Sequence, residues 1–477
     1  MEPPRPPARG SREGGRLRRF FSPQPNVPGR GIVAGYGARF WALVVAIGVA
    51  AGLGGAFLMW ILNGIAHLAW GHSALTFLGA VERSTAAHRV LVLLLAGVIA
   101  GLGALAIRRL RGVGGAEVSE SLWRQEGRMA LGPSLGRGML SIVIVALGAS
   151  LGREAAPQLA GAATASRLSE KLGIPRWQRR LLVACGAGAG MAAVYNVPLG
   201  GALFALEVLL GTITLPLVLP ALATSFIATA VAWIYLPTTP TYLVPEYHIA
   251  ASQIVWAALV GPLAGVAAVG WVKLVTLANR SRPGRWGRVL APVAVLTGLG
   301  AISIAYPQLL GNGKDTVQLA FVGALGGGLL AVLMILKPLV TAACLGSGAP
   351  GGLFTPTLTF GVLFGGLLGL GWIQLWPGAP DGSYAIIGGG AVLAAAMEGP
   401  VAAVVLMLEL AHHIQNLVVP MLLAVTEATV VSRLVGAPSI YSARLGDSAD
   451  DERDGEDGRG APDAEQELLS SFERSAR

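Results

Sequence analysis

Long apolar runs recur along nearly the whole chain. Examples are Trp41–Trp60, Val90–Ile107, Leu215–Ile234, Ile254–Val272, Leu329–Cys344 and Gly361–Leu375. Several approach the roughly 20 residues that a helix needs to cross the hydrocarbon core of a bilayer. Others are short, or are broken by glycine and proline. The pattern predicts an all-α polytopic membrane protein built partly from broken helices. Irregular backbone is tolerated at membrane depth only where it lines a cavity or is buried in protein. Interrupted runs therefore point to a transporter or channel rather than a passive anchor.

Composition sharpens this picture. Of 477 residues 53% are hydrophobic and 13% charged, with mean hydropathy +0.63; a soluble domain carries about 25% charged residues. The 67 glycines and 29 prolines are too many for straight spans. Close helix packing through small residues accounts for many glycines, but not for their clustering. Charge collects at the ends. Arg5, Arg9, Arg12, Arg16, Arg18, Arg19, Arg30 and Arg39 stand against Glu2 and Glu13. Residues 1–39 thus read as a disordered basic segment on the cytoplasmic side, with no signal peptide. Residues 446–477 read as a disordered acidic tail, too short for a further domain. The expected setting is the cell membrane with both termini cytoplasmic. The net charge of +9 is a topology signal rather than a nucleic-acid footprint. Cys185 and Cys344 lie in apolar segments and read as packing residues; neither a metal nor a cofactor is implied.

An internal repeat underlies the runs. In NVPLGGALFALE (196–207) and EGPVAAVVLMLE (398–409) a proline is followed nine residues later by glutamate, and the two segments lie 202 residues apart. GREAAP, ending at Pro157, and GGLFTP, ending at Pro356, lie 199 apart. The near-equal offsets predict two homologous halves, about 40–237 and 250–445, with a site at their interface near mid-membrane.

An anion crossing a bilayer needs positive potential without a charge strong enough to trap it. Helix N-termini supply this through unpaired N–H groups and about half a positive charge each. Gly-rich turns leading into such ends are the expected signature. Four segments fit: Arg111–Glu120, Gly148–Ala162, Leu345–Pro356 and Gly436–Leu445. Within the second, Glu154 is a carboxylate between small residues, costly in a membrane and functional by default. It would be drawn to the donors that attract an anion, and so act as a gate that protonation releases. The alternative is a helix-end glutamate at the headgroup level. Arg153 either pairs with a carboxylate or faces an aqueous vestibule. Tyr441 reads either as an anion donor or as an interfacial tyrosine.

At these residues the sequence resembles the CLC family of chloride channels and chloride/proton antiporters, over about 40–445. GREAAP matches the family's GREGP with the proline one place later. GAPGGLFTP contains GxFxP; AAVYNVPLGGALFALE, MEGPVAAVVLMLEL and PSIYSA match the segments that follow. The resemblance implies a homodimer with one pore per subunit, each an inverted repeat of broken, tilted helices. It implies that Glu154 is the gating glutamate, with Gly152 and Arg153 in its turn. Gly352, Leu353 and Phe354 would supply backbone donors, and Tyr441 would be the central tyrosine.

Two departures qualify that resemblance. The first filter motif stands as GVGGA, with Val113 beside Gly114 where the family has an ion-coordinating serine. Weaker anion binding, or another anion such as nitrate or fluoride, is then open; retention of Tyr441 argues against fluoride. The family's inner proton relay falls at Val208, after Glu207, and an apolar residue there resembles the channels. The expectation is passive or weakly proton-coupled chloride transport, with an antiporter using Glu207 or water as the alternative. A remote alternative, an intramembrane serine hydrolase using Ser347 with His412 or His413, lacks the expected glycine two residues before the serine. The chain does not read as an enzyme.

Overall fold

The computed structural model describes residues 36–71, 76–110, 117–284 and 286–445. The tail 446–477, nearly all of the basic segment 1–39, and Val113 with Gly114 lie outside the described residues. Helices are the only extended secondary structure among the described residues. The first half holds α1 (Ala38–Trp70), α2 (Phe77–Arg83), α3 (Ala86–Ile107), α4 (Val118–Arg124), α5 (Leu131–Ala146), α6 (Ala155–Lys171), α7 (Arg176–Tyr195), α8 (Pro198–Leu203) and α9 (Leu215–Ala232). The second holds α10 (Ala251–Arg280), α11 (Gly287–Ile302), α12 (Lys314–Phe321), α13 (Gly327–Gly346), α14 (Phe354–Leu375), α15 (Asp381–Met397), α16 (Pro400–Leu410) and α17 (Val418–Val435). Seven helices are long and apolar enough to cross a membrane: α1, α3, α9, α10, α13, α14 and α17.

The repeat is visible in how helices begin and end. α7 stops at Asn196 (φ 58°) and α15 at Glu398 (φ 57°), both in the left-handed conformation that closes a helix. Two residues further on, Pro198 and Pro400 open α8 and α16; proline suits a helix start because its missing N–H has no partner there. Packing repeats as well. α6 lies on α7 as α14 lies on α15, and α1 on α9 as α10 on α17. The halves meet where α3 packs on α11 and α8 on α16. Small residues permit the closest of these approaches: a Cβ on Gly161 of α6 would overlap the Gly186 carbonyl of α7.

Two local features depart from plain α-helix. α8 runs into a π-helical turn, Phe204–Leu209, in which the Leu210 N–H reaches back to the Ala205 carbonyl; such turns concentrate at functional sites. The fourth Gly-rich segment, Gly436–Leu445, starts no helix, contrary to expectation. Gly436 (φ 68°) closes α17, and the chain then continues in turns anchored by the Ile440 N–H on the Ala396 carbonyl. Cys185 and Cys344 are both free and buried.

Candidate functional site

The two halves touch through their equivalent glycine-rich loops. Gly152 N–H donates to the Gly352 carbonyl at 2.7 Å and Gly352 N–H to the Gly152 carbonyl at 2.8 Å, forming an antiparallel bridge. Each loop then opens a helix, α6 at Ala155 and α14 at Phe354, with proline as its third residue in both cases. The first loop is braced from the second half. Lys337 of α13 is buried and donates to the Leu309 and Gly311 carbonyls, both at 2.9 Å. Gly311 N–H in turn donates to the Gly148 carbonyl at 2.8 Å.

Glu154 is 1% exposed and folds across this bridge. Its Oε1 accepts the Phe354 N–H, the first of α14, at 2.7 Å, and its Oε2 accepts the Tyr195 hydroxyl at 3.2 Å. Thr355 Oγ1 stands 2.6 Å from Tyr195 Oη and 3.5 Å from Oε2. With Tyr195 donating to the carboxylate, Thr355 donates to Tyr195, so the hydroxyls form a chain. A Cβ at either Gly152 or Gly352 would overlap the Glu154 carboxylate, so glycine at both bridge positions is what lets it lie there. The carboxylate thus occupies the electropositive end of α14, where a free anion would be held by the same N–H and hydroxyl.

Adjacent residues face different cavities. Arg153 lines a vestibule of about 750 Å³ with Lys314, Asp315, His67 and Asn312 among its other walls. Its guanidinium lies 4.9 Å from the centroid of the Tyr195 ring, a cation–π distance. Glu154 lines a small cavity of about 30 Å³ with Gln158, Gly352, Leu353 and Tyr441, room for one water-sized occupant. Tyr441 packs edge-on against Phe204, and its buried hydroxyl has no partner among the described residues. Of the vestibule and carboxylate alternatives for Arg153, the geometry is the vestibule.

Glu207 and Val208 take another place. The Glu207 carboxylate accepts the Val401 and Ala402 N–H groups at 3.2 and 2.5 Å, at the start of α16. Glu409 mirrors it, accepting Leu199 and Gly200 N–H at 3.0 and 2.6 Å at the start of α8. Val208 abuts Gly399, where a Cβ would stand 2.6 Å from its methyl group. Neither Glu207 nor Val208 lines the small cavity, although their neighbour Leu209 does. Ser347 donates to the Cys344 carbonyl at 2.7 Å, a local cap rather than a nucleophile's arrangement. Tyr195, Thr355 and Arg444, which lines the small cavity, were not singled out from sequence. Only the lone tyrosine closing the small-residue stretch of α7 offered a signal.

The sequence profile of the Voltage gated chloride channel family matches residues 92–433. The chain belongs to this family. A putative chloride channel protein ClcB-like from Ralstonia nicotianae is 34% identical over 376 residues, covering 76% of this chain and 86% of the relative. The voltage-gated ClC-type chloride channel ClcB of Escherichia coli O9:H4 is 34% identical over 334 residues, covering 66% and 76%. Among solved structures, a slow cyanobacterial Cl⁻/H⁺ antiporter is similar with TM-score 0.73 and 19% identity, over 86% of this chain and 98% of the other. A CLC-type fluoride/proton antiporter gives 0.69 at 20% identity, over 88% and 99%. The protein is therefore an integral membrane protein with the CLC fold, of a family of transporters and channels rather than enzymes. The hydrolase alternative falls away.

Proposed function

We propose that this CLC protein conducts chloride passively, or with weak proton coupling, along a path that Glu154 closes. The observation that carries the reading is the Glu154 carboxylate on the Phe354 N–H at 2.7 Å. A side-chain anion on the N-terminus of a broken helix stands in for a transported one. Displacing it, or protonating it, leaves the Phe354 N–H and the Tyr195 hydroxyl free for chloride. Beyond it the small cavity offers the unpartnered Tyr441 hydroxyl as the next station. These are mostly neutral donors, the moderate binding that conduction requires.

Weak coupling rests on Glu207 and Val208. A proton relay must accept and release protons from the ion path. Glu207 is instead engaged by two backbone N–H groups, and Val208 cannot titrate. Assembly as a homodimer fits the same region: the half-buried Glu207 and Glu409 sit beside exposed Leu199 and Val401, a surface that a second copy would cover better than lipid. The test is chloride efflux from liposomes with external pH recorded. Wild type should release chloride with little proton movement, and Glu154→Ala should change the rate at least tenfold. A proton signal in fixed ratio to chloride would make the protein an antiporter, and unchanged flux in Glu154→Ala would remove the gate.

A further inference from the structure

The small cavity has a charged wall that the gate reading does not use. Arg444, three residues after Tyr441, lines it with Glu154, Gln158, Leu353 and Glu117. One edge of the guanidinium is tethered: its Nη2 lies 3.6 Å from Glu117 Oε1, and that oxygen also lies 3.3 Å from Arg137 Nη1. The backbone is fixed as well, since Asn279 Nδ2 donates to the Arg444 carbonyl at 3.1 Å. Yet Arg444 Nε is buried without a partner among the described residues, and so is the Tyr441 hydroxyl, on a residue 7% exposed. Two unsatisfied donors on one segment therefore border a cavity with room for a single small occupant. Buried donors without partners are uncommon and call for a ligand or water.

We propose that Arg444 is a specificity-determining residue of the anion path, supplying the positive charge for an anion held against the Tyr441 hydroxyl. This rests on the reading of the Glu154–Phe354 site as an anion path. A bare cation would hold the ion too long for conduction. Glu117, divided between Arg444 and Arg137, offsets part of that charge and sets its strength. A guanidinium also differs from a hydroxyl in shape: its planar N–H fork matches planar oxyanions better than a point charge does. The preferred class is thus small monovalent anions, with nitrate carried at least as well as chloride.

Liposomes holding the full-length protein, checked as monodisperse before reconstitution, give initial efflux rates against chloride and against nitrate concentration. Arg444→Gln should raise the half-saturating concentration of both anions roughly tenfold. Glu117→Gln, which frees the guanidinium, should lower it. Arg444→Lys should keep chloride near wild type while losing the nitrate preference. Were the pair merely a brace, Arg444→Gln and Glu117→Gln would shift the curve in the same direction; that outcome, or no shift in Arg444→Gln, overturns the proposal. Should Arg444→Gln fail to fold, a lowered half-saturating concentration in Glu117→Gln together with a lost nitrate preference in Arg444→Lys supports the proposal, and the absence of either overturns it. Wild-type liposomes that release neither anion would instead overturn the anion path itself.

Discussion

Among the described residues three glutamates reach across from one half to a helix N-terminus of the other, and they divide into two kinds. Glu207, after α8, and Glu409, in α16, are reciprocal: each accepts two adjacent N–H groups at the start of the other's helix. Glu154 has no such partner. Counted from the Gly152–Gly352 bridge its counterpart is Phe354, and counted from the helix starts it is Leu353; neither is a carboxylate, and Glu154 accepts the Phe354 N–H. Similar chemistry, a carboxylate on a helix end, ties the halves together where the repeat is obeyed and, in the reading proposed above, serves as the gate where it is broken. The two settings differ in what stands behind the carboxylate. Gly399, Val208 and the α8–α16 packing lie behind the Glu207 and Glu409 carboxylates, whereas Glu154 borders the small cavity.

This contrast can be broken most sharply at the bridge. Gly352→Ala places a methyl group where the Glu154 carboxylate now lies, and should change liposome chloride flux at least tenfold. Adding Glu154→Gln to Gly352→Ala should then change little more, because both act on the gate. Flux of wild-type magnitude in Gly352→Ala would mean the carboxylate does not hold this position during transport. Next in size, Glu409→Gln weakens two charge-assisted bonds and should cost about 1–3 kcal/mol, read as a melting temperature lowered by a few degrees in detergent. Chloride flux per folded protein should stay within about twofold. Loss of flux without loss of stability would place Glu409 in the ion path instead.

The smallest effect lies in the vestibule. Lys314, outside the membrane-spanning helices, has its ammonium pushed down to about 8, by burial first and by the nearby Arg153 charge second, with Asp315 opposing. It is charged below that pH and neutral above it, so the vestibule loses a cation as pH rises from 7 to 9. Chloride entry should fall about twofold over that window, because local cations concentrate anions. Lys314→Gln should be slower at pH 7 and lack the change. A variant that retains the same pH dependence would assign it to another group.

How much of this was legible in the sequence follows from which features are local. The loops at Gly152 and Gly352, the helices they open and the matched Pro198 and Pro400 rest on glycine and proline chemistry within a few residues, and the repeat offset exposed them. Glu154 stood out because a lone carboxylate among small residues has few other uses in a membrane. The partners of that carboxylate were not legible. Tyr195 ends α7 and Thr355 begins α14, 160 residues apart, and only packing joins them. The spacing showed Glu207 and Glu409 as a repeated pair but not that each caps the other half, since reciprocity is a property of the assembled halves. Gly436–Leu445 misled for the converse reason: a Gly-rich turn near a proline is also how a helix ends.

The bridge at Gly152 and Gly352 bears on how such a gate could arise at all. Across a twofold axis a contact from position i to position j is repeated from j to i, and only residues on the axis meet their own copies. Two separate, identical half-chains assembled this way would place a glutamate on both sides of the axis, or on neither. Two carboxylates would then lie within a few ångströms of each other across the bridge, and their like charges would repel. A chain carrying both halves in tandem is released from that constraint: position 154 is free to vary while position 354 stays apolar. Joining the halves into a single chain is what allows the proposed gate to stand on one side alone.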